Sequence, residues 1–314
     1  HRAIWAIALP MMLSGMATPL VGLVDTAVMG HLESPVFLAA VAANATIFSV
    51  LFMGLNFLRM GTTGVTAQAY GSNNHARITE SLVQPLVLAA ILAAGLLLLQ
   101  VPLRETALWL LKPSMETAVL AQIYFDIRIW SAPAALCNLV IIGWLLGMQN
   151  ARGPLVIVVT ISLVNAGLDL WFVLGLKMTV AGVALASVLA EIAGLLAGAL
   201  FVQKEMRNHQ PVWEFAHYRE ISRYRALFNI NGNLFLRSIA LLFTFAFVTA
   251  QGARLGDVFL AANAVLMNFL YFMAYALDGI AHAAEALTGK AVGARNRQGL
   301  EIAVSRTLLW SGGF

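Results

Sequence analysis

Two aspartates lie within long apolar stretches, and both are candidates for proton or cation chemistry. Asp25 occurs in PLVGLVDTAVMGHL and Asp169 occurs in NAGLDLWFVLG. An aspartate at the centre of a membrane helix costs about 2.5–3.5 kcal/mol on insertion scales, so such groups are functional candidates. Two carboxylates in one poorly hydrated pocket cannot both ionise cheaply, because burial and mutual repulsion penalise the charged forms. The pair is expected to load a proton, or Na⁺ in its place, and to release it when water or charge arrives.

The position of Asn165 and the directions of the helices support a shared site for the two aspartates. Asn165 lies four residues before Asp169, so both side chains project from one helix face. The two aspartates fall in the first and fifth apolar segments, which cross a membrane in the same direction, and both lie in the outward half. They can therefore face each other across one cavity. The alternative for each is an aspartate that caps a helix end near the interface.

A second polar group lies on a later segment. Asp278, His282 and Glu285 recur at spacings of four and three in AYALDGIAHAAEAL, which places them on one helical stripe. Arg237, in NGNLFLRSIALL, is a candidate partner for these acids. A structural ion-pair network and a substrate or second coupling site are equal alternatives for this second-lobe polar cluster.

The composition requires most of the surface to face lipid. Of 314 residues, 60% are hydrophobic and 11% are charged, whereas soluble domains carry about 25% charged residues. The single cysteine, Cys137, excludes a disulfide framework. The chain is expected to be an all-α polytopic membrane protein, and its net charge of +4 reflects basic loops rather than nucleic-acid binding.

Hydropathy predicts the membrane segments, because about 20 apolar residues cross a bilayer core as a helix. The sequence divides into eight full segments and the start of a ninth. They cover 4–30, 36–70, 82–103, 118–148, 154–175, 180–203, 227–252 and 258–292, with the ninth beginning near 300. The second and eighth are longer than a straight crossing requires, so we expect them to be tilted, bent or extended past the bilayer.

An internal repeat predicts two lobes. VFLAA occurs at 36–40 and at 258–262, an offset of 222 residues, and Gly71 matches Gly293 at the same offset. Copies that start on the same side describe parallel repeats about an axis along the membrane normal. We expect two pseudo-symmetric six-helix lobes around a central cavity, with about eight and a half of the twelve helices present.

The lobes are expected at 1–203 and, incomplete, at 226–314, with a cytoplasmic linker at 204–225. The linker is basic and amphipathic. An interfacial segment and a solvated loop are the two alternatives for its structure. At the 222 offset Asp25 falls on Phe247, so the coupling site is expected in the first lobe only. With the amino terminus inside, the cytoplasmic connections hold eleven Lys and Arg residues against four outside, which predicts that orientation.

Enzyme motifs are missing from the sequence. GxSxG, GxxxxGK[ST], HExxH and clustered Cys/His sites do not occur. The chain is therefore expected not to be an enzyme and to need no cofactor. Because it lacks a phosphate-binding loop for ATP, an ion gradient is the expected source of energy.

Several stretches together resemble one transporter family. They are ALPMMLSGMATPLVGLVDTAVMGHL, FLRMGTTGVTAQAYG, SAPAALCNLVIIGWLLGMQNARGP, NAGLDLWFVLGL, GVALASVLAE, ARLGDVFLAANAVL and AYALDGIAHAAEAL. These runs resemble the DinF-like branch of the multidrug and toxic compound extrusion (MATE) family. The resemblance implies twelve helices in two lobes, and export of amphipathic, often cationic, compounds in exchange for H⁺ or Na⁺.

The resemblance also assigns residues. Asp25 matches the first-helix aspartate of the family, and Asn165 with Asp169 matches its fifth-helix pair. Ser187 keeps the hydroxyl of a sixth-helix position where relatives often have Thr. These four residues are expected to form the coupling site.

Further residues are expected around the substrate cavity. Asn138 and Tyr124 match polar fourth-helix positions that line it in the family. Met11 is a candidate for an adaptable apolar lining, with core packing as the alternative. Asn233 departs from the family, since close relatives tend to carry Asp four residues before Arg237, and this departure weakens the case for a second-lobe role.

The sequence thus predicts a monomeric secondary active antiporter in a bacterial plasma membrane. It would export amphipathic or cationic small molecules in exchange for H⁺, with Na⁺ at Asp25 and Asp169 as the alternative ion. A lipid or lipid-linked precursor flippase of the same fold superfamily is one alternative. A non-transporting receptor or an intramembrane enzyme is the alternative from another class.

Overall fold

The computed structural model of the chain describes residues 1–30, 34–209, 232–244, 247–248, 251 and 257–313. Its helices, numbered in chain order, are α1 (Arg2–Gly30), α2 (Pro35–Leu55), α3 (Phe57–Gly71), α4 (His75–Leu98), α5 (Gln100–Leu111), α6 (Met115–Arg128), α7 (Ala132–Gly147), α8 (Arg152–Asp169), α9 (Val180–His209), α10 (Gly232–Thr244), α11 (Asp257–Gly293) and α12 (Arg297–Gly313). A 3₁₀ turn, Ile129–Ser131, joins α6 to α7, and a π-helical segment, Leu170–Gly175, continues α8. The prediction of an all-α protein is confirmed.

Five helical stretches of the described chain are long and apolar enough to cross a membrane. They are Pro35–Gly71, His75–Leu98, Met115–Gly147, Arg152–Gly175 and Val180–His209. The polytopic prediction is thereby confirmed, and two of the helices extend beyond the predicted membrane segments. The third segment begins at His75 and not at 82, because Asn74 caps a polar first turn. The sixth continues to His209, so the first residues of the predicted linker are helical, and residues 210–225 lie outside the described chain.

The long second segment is interrupted at one residue, Asn56. Helix α2 ends at Leu55, and α3 begins at Phe57. Asn56 lies between them, and its side-chain oxygen accepts a hydrogen bond from Arg59 Nε at 3.0 Å. Arg59 therefore lies in the middle of a segment that is otherwise largely apolar, and Asn56 is its partner on the same segment.

The turns that follow α3 and α11 show the repeat at atomic detail. Asn73 and Arg295, 222 residues apart, both have positive φ, at 51° and 53°. The N–H of each residue donates a hydrogen bond to the carbonyl oxygen three residues earlier. The N–H of the asparagine that follows donates to the carbonyl oxygen five residues earlier, and together these bonds form a Schellman motif. The side-chain oxygens of Asn74 and Asn296 each accept a hydrogen bond from the backbone N–H three residues later, and so cap the next helix.

A third turn has the same design. Gln149 has a φ of 66°, and Asn150 donates its N–H to Leu145 five residues back. The side-chain oxygen of Asn150 accepts from the N–H of Gly153. The sequence carries the signal as Gly-x-x-Asn at 71–74, 147–150 and 293–296. All three turns follow a segment that is predicted to end on the cytoplasmic side.

The lobes meet along a glycine seam between α3 and α11. A Cβ added to Gly71 would overlap the carbonyl oxygen of Lys290, and one added to Gly293 would overlap that of Gln68. Lys290 and Gly293 lie 222 residues after Gln68 and Gly71, which is the offset of the repeat. The two contacts are therefore equivalent, because each joins the glycine of one copy to the matching carbonyl of the other. A pseudo-two-fold axis therefore runs between α3 and α11, as parallel repeats require.

Packing continues along the same interface. Helix α11 lies against both α1 and α3. Gly279 of α11 fits against Ala8 and Met12 of α1, where a Cβ would overlap Met12. One apolar core therefore runs through the first lobe and into the second.

The seam predicts that Gly293→Ala lowers the thermal midpoint of the detergent-purified, full-length protein. The added methyl group overlaps the Gln68 carbonyl, so α3 and α11 must separate, and overpacking of this kind costs about 1–3 kcal/mol. The matched control is Gly64→Ala on α3, where an added Cβ meets nothing within 4 Å. Equal midpoints for the two variants, measured by tryptophan fluorescence, would contradict a tight seam.

Candidate functional site

Three of the four predicted coupling residues lie together inside the first lobe. Asp169 is fully buried, while Asn165 is 2% exposed and Ser187 is 7% exposed. Helices α8 and α9 pack against each other, and Asn165 Nδ2 donates a hydrogen bond to Ser187 Oγ at 3.2 Å. The pocket thus combines a carboxyl group, an amide and a hydroxyl group away from solvent.

Directly after Asp169 the helix widens into the π-helical segment. There the N–H of Leu176 bonds to the carbonyl of Trp171, five residues back. Such segments are rare and are frequently found at functional sites. This feature could not be predicted from the sequence, because Leu170–Gly175 has the composition of an ordinary apolar helix.

The side chain of Asp25 lies outside the described residues, although its position falls within α1. Helix α1 packs directly against α8 and touches the π-helical segment. The two aspartates therefore sit on neighbouring helices. Whether their carboxyl groups share one pocket stays a prediction.

Asn138 forms a second buried polar pair in the first lobe. It is 3% exposed, and its Nδ2 donates to both the backbone oxygen and the Oε2 of Glu191 at 2.9 Å. Its Oδ1 is buried without a hydrogen-bond partner among the described residues. The structure makes Glu191 the partner of Asn138.

The other predicted cavity residues lie among apolar side chains. Tyr124 is 4% exposed and packs in a cluster built from α2, α6 and α9. Met11 is 7% exposed and packs in the core shared by the lobes. For Met11 the structure agrees with the core-packing alternative.

The second-lobe polar cluster contains a residue that the sequence interpretation missed. Arg59 Nη1 lies 2.8 Å from Nε2 of His282 and 3.1 Å from its Nδ1. Arg59 belongs to α3, so this contact joins the first lobe to the second. The available signal was an arginine inside the apolar segment 36–70.

The two acids of the cluster interact with arginines from both lobes. Asp278 and Glu285 each interact electrostatically with Arg59 and with Arg237. Arg237 also lies against α3, with Nη1 3.8 Å from Met60 Sδ. The pairing of Arg237 with the acids stays a prediction, and the contact of Arg59 with His282 shows that the cluster spans the lobe interface.

An ion pair lies near the end of the first lobe that is predicted to face outward. Arg104 Nη1 contacts both carboxylate oxygens of Asp126 at 2.7 Å. The neighbouring Arg128 turns away and stacks over the ring of Phe48, with 5.7 Å to the centroid. Asp126 and Arg128 therefore have separate partners.

Comparison with known proteins adds sequence relatives. The MatE family model matches residues 10–171 and 234–314. The chain is 48% identical over 295 residues to DNA damage-inducible protein F of Escherichia coli, covering 94% of this chain and 64% of that protein. It is 28% identical over 307 residues to the probable multidrug resistance protein NorM of Caulobacter vibrioides, covering 94% and 63%. The chain thus spans less than two thirds of these relatives.

Solved structures share the fold. An outward-facing multidrug resistance MATE family transporter of the MOP superfamily matches with a TM-score of 0.87 at 21% identity, covering 97% of this chain and 68% of that one. A MOP superfamily transporter from Pyrococcus furiosus matches with a TM-score of 0.86 at 23% identity, with the same coverage. The two-lobe architecture predicted from the repeat is confirmed.

The Asn165–Ser187 bond predicts that Ser187→Ala destabilises the first lobe. The variant removes this acceptor from a buried amide, and such a loss costs about 1–3 kcal/mol. Ser187→Thr keeps the hydroxyl group and should retain the thermal midpoint of the purified full-length protein. Ser305→Ala, on the exposed side of α12, is the control for loss of a hydroxyl group. A Ser187→Ala variant as stable as Ser305→Ala would show that the bond contributes nothing.

Proposed function

The chain belongs to the MatE family, and from this membership we propose that the full-length protein is a secondary active antiporter. It exports amphipathic or cationic compounds from the cytoplasm in exchange for H⁺. It acts as a monomer in a bacterial plasma membrane, with its amino terminus in the cytoplasm. The homologues named as multidrug resistance proteins support the substrate class.

One observation carries the coupling proposal, namely the complete burial of Asp169 beside Asn165 and Ser187. A carboxyl group in such a place is far less costly when it is protonated. It therefore binds a proton while the pocket is dry and loses it when water or a cation enters. The amide and the hydroxyl group can hydrogen-bond the carboxyl group in either form and so hold it in place.

The proposed cycle follows from that preference. Protons from outside reach Asp169 and, on the neighbouring helix, Asp25. Neutralisation lets α1 repack against α8, which contracts the first-lobe cavity and expels the substrate. Release of the proton to the cytoplasm restores the charge and reopens the cavity to the next substrate.

The choice of H⁺ over Na⁺ rests on the ligands that the pocket offers. A carboxyl group with one amide and one hydroxyl group provides few oxygens to surround a metal cation. A proton needs only one oxygen and one acceptor. Na⁺ stays the alternative ion, because the side chain of Asp25 lies outside the described residues.

A flippase for anionic lipids would need a basic cleft between the lobes. The described polar cluster at the lobe contact contains Arg59 and Arg237 together with Asp278 and Glu285, so its charges balance. This balance does not favour the flippase, and the family relatives do not favour a receptor or an intramembrane enzyme.

Asp169→Asn is expected to abolish substrate efflux driven by a pH gradient in proteoliposomes of the full-length protein, because an amide cannot carry the exchanged proton. Asp126→Asn is the matched control, since Asp126 pairs with Arg104 away from the pocket. Full pH-driven efflux by Asp169→Asn, with the protein correctly inserted, would exclude this residue from coupling.

The coupling ion is tested separately by imposing one gradient at a time. Wild-type vesicles should show efflux under a pure pH gradient and none under a pure Na⁺ gradient. Efflux under the Na⁺ gradient alone would replace the proton with sodium in the proposed cycle.

A further inference from the structure

A series of polar side chains, here called the polar ladder, follows the contact between α8 and α9. Asp169 and Asn165 lie one turn apart on α8, and Ser187 and Glu191 lie one turn apart on α9. The hydrogen bond from Asn165 to Ser187 joins the two helices in the middle of the series. Successive membrane helices run in opposite directions, so Glu191 lies beyond that bond from Asp169, about 10 Å away along the helix axes.

The far end of the polar ladder is a buried hydrogen-bonded pair. Asn138 of α7 donates from Nδ2 to the backbone oxygen and to Oε2 of Glu191, both at 2.9 Å. The close approach depends on Gly194, because a Cβ added there would lie only 3.2 Å from Asn138 Nδ2. The half-buried carboxyl group of Glu191 is thus held in place by an amide from a third helix.

One polar atom of this pair requires a donor. Asn138 is 3% exposed, and its Oδ1 is buried without a hydrogen bond from the described part of the chain. Leaving a buried acceptor unpaired costs about 1–3 kcal/mol. An ionised carboxylate has only acceptors, whereas a protonated carboxyl group or a water molecule that delivers a proton also has a donor. The pair of Asn138 and Glu191 is therefore complementary to a proton-bearing group.

Apolar contacts lie beyond the polar ladder. Ile161 of α8 packs on Gly194, where an added Cβ would lie 2.5 Å from Ile161 Cγ1. One turn later, the fully buried Ile157 packs on Gly198. In the proposed orientation α9 runs from the outside to the cytoplasm, so both contacts lie between Glu191 and the cytoplasm. The polar ladder therefore ends at Glu191, behind an apolar seal.

We propose that Glu191 is a second proton-carrying group of the first lobe, which receives the exchanged proton from Asp169 and releases it to the cytoplasm. In the transfer, the O–H bond of Asp169 breaks, an O–H bond forms on Glu191, and Asp169 is left as a carboxylate. The hydroxyl group of Ser187 lies between the two acids and passes a proton by accepting one and giving up its own. This inference rests on the proposed proton exchange and adds its inner stage.

Release requires movement at the apolar seal. When α8 and α9 separate at Gly194 and Gly198, water reaches Glu191 from the cytoplasmic side and takes the proton as hydronium. While the two glycine contacts are closed, as in this structure, the proton stays on Glu191. The seal thus prevents a proton from crossing the first lobe without a change of conformation.

The test compares two modes of transport by Glu191→Gln in proteoliposomes of the full-length protein, with ethidium as the amphipathic cation. Efflux driven by a pH gradient is expected to fall at least tenfold, because an amide cannot carry the proton. Exchange of labelled for unlabelled ethidium without a gradient moves no net proton, so its rate should stay that of wild type. A purely structural role of Glu191 would slow both modes.

Two further variants serve as controls. Glu205→Gln is matched to the test variant, because Glu205 lies on the same helix and also accepts a hydrogen bond from an asparagine, Asn150 Nδ2, at 2.7 Å. It lies outside the polar ladder and should keep both transport rates. Glu191→Asp retains a carboxyl group and is expected to restore most of the pH-driven efflux.

A chemical measurement needs no variant at Glu191. Dicyclohexylcarbodiimide adds as a whole molecule to protonated carboxyl groups in apolar surroundings. Digestion and mass spectrometry of the treated wild-type protein should find the adduct at Glu191 at acidic pH, and less of it as the pH is raised. This pattern would show directly that Glu191 gains and loses a proton.

Several outcomes would overturn the proposal. A folded Glu191→Gln variant with wild-type pH-driven efflux would remove Glu191 from the proton path, and an equal loss of both modes would make its pair with Asn138 structural. An equal loss in Glu205→Gln would show that the effect is not specific to the polar ladder. If Glu191→Gln does not fold, absence of the adduct at every pH overturns the proposal. Failure of the proposed exchange itself is distinguishable, because it appears as full pH-driven efflux by Asp169→Asn.

Discussion

The absence of water in the bilayer core is the constraint on which this structure depends. A polar side chain on a membrane helix must find its partner within the protein, because an unsatisfied group costs several kcal/mol there. Asn165 is hydrogen-bonded to Ser187, Asn138 to Glu191 and Arg59 to His282. Each pair fixes the rotation of its helices, so the polar residues determine which faces meet in the interior.

Hydropathy and spacing were enough to predict the helices and the faces that carry the polar residues. Asn165 and Asp169 share a face because an α-helix repeats every 3.6 residues, and Ser187 was placed beside them by resemblance to the family. The partner of His282 could not be found in this way. Arg59 lies 223 residues away, and their contact exists only because the lobes pack along α3 and α11. The side chain of Asp25 lies outside the described residues, so the central pair itself stays a prediction.

Local departures from regular helix were predicted less well, for a different reason. A hydropathy window averages composition and does not register hydrogen-bond geometry. The break at Asn56 and the π-helical segment after Asp169 both lie in runs that read as continuous apolar helix. Both occur next to ionisable side chains, Arg59 and Asp169. The Gly-x-x-Asn turns were readable from the sequence, because glycine at the seam and asparagine at the cap serve physical roles that few residues fill.

The contact between the lobes is symmetric at the glycine seam, whereas its polar residues are not. The seam consists of glycines against backbone carbonyls, with the same contact made twice about the pseudo-two-fold axis. Such a contact carries no charge, and its close packing depends on the absence of a side chain at both glycines. The contact of Arg59 with His282 carries charge and cannot be broken without a replacement partner in the cleft. Among the described residues, the asymmetric cluster rather than the symmetric seam therefore supplies the charged contact between the lobes.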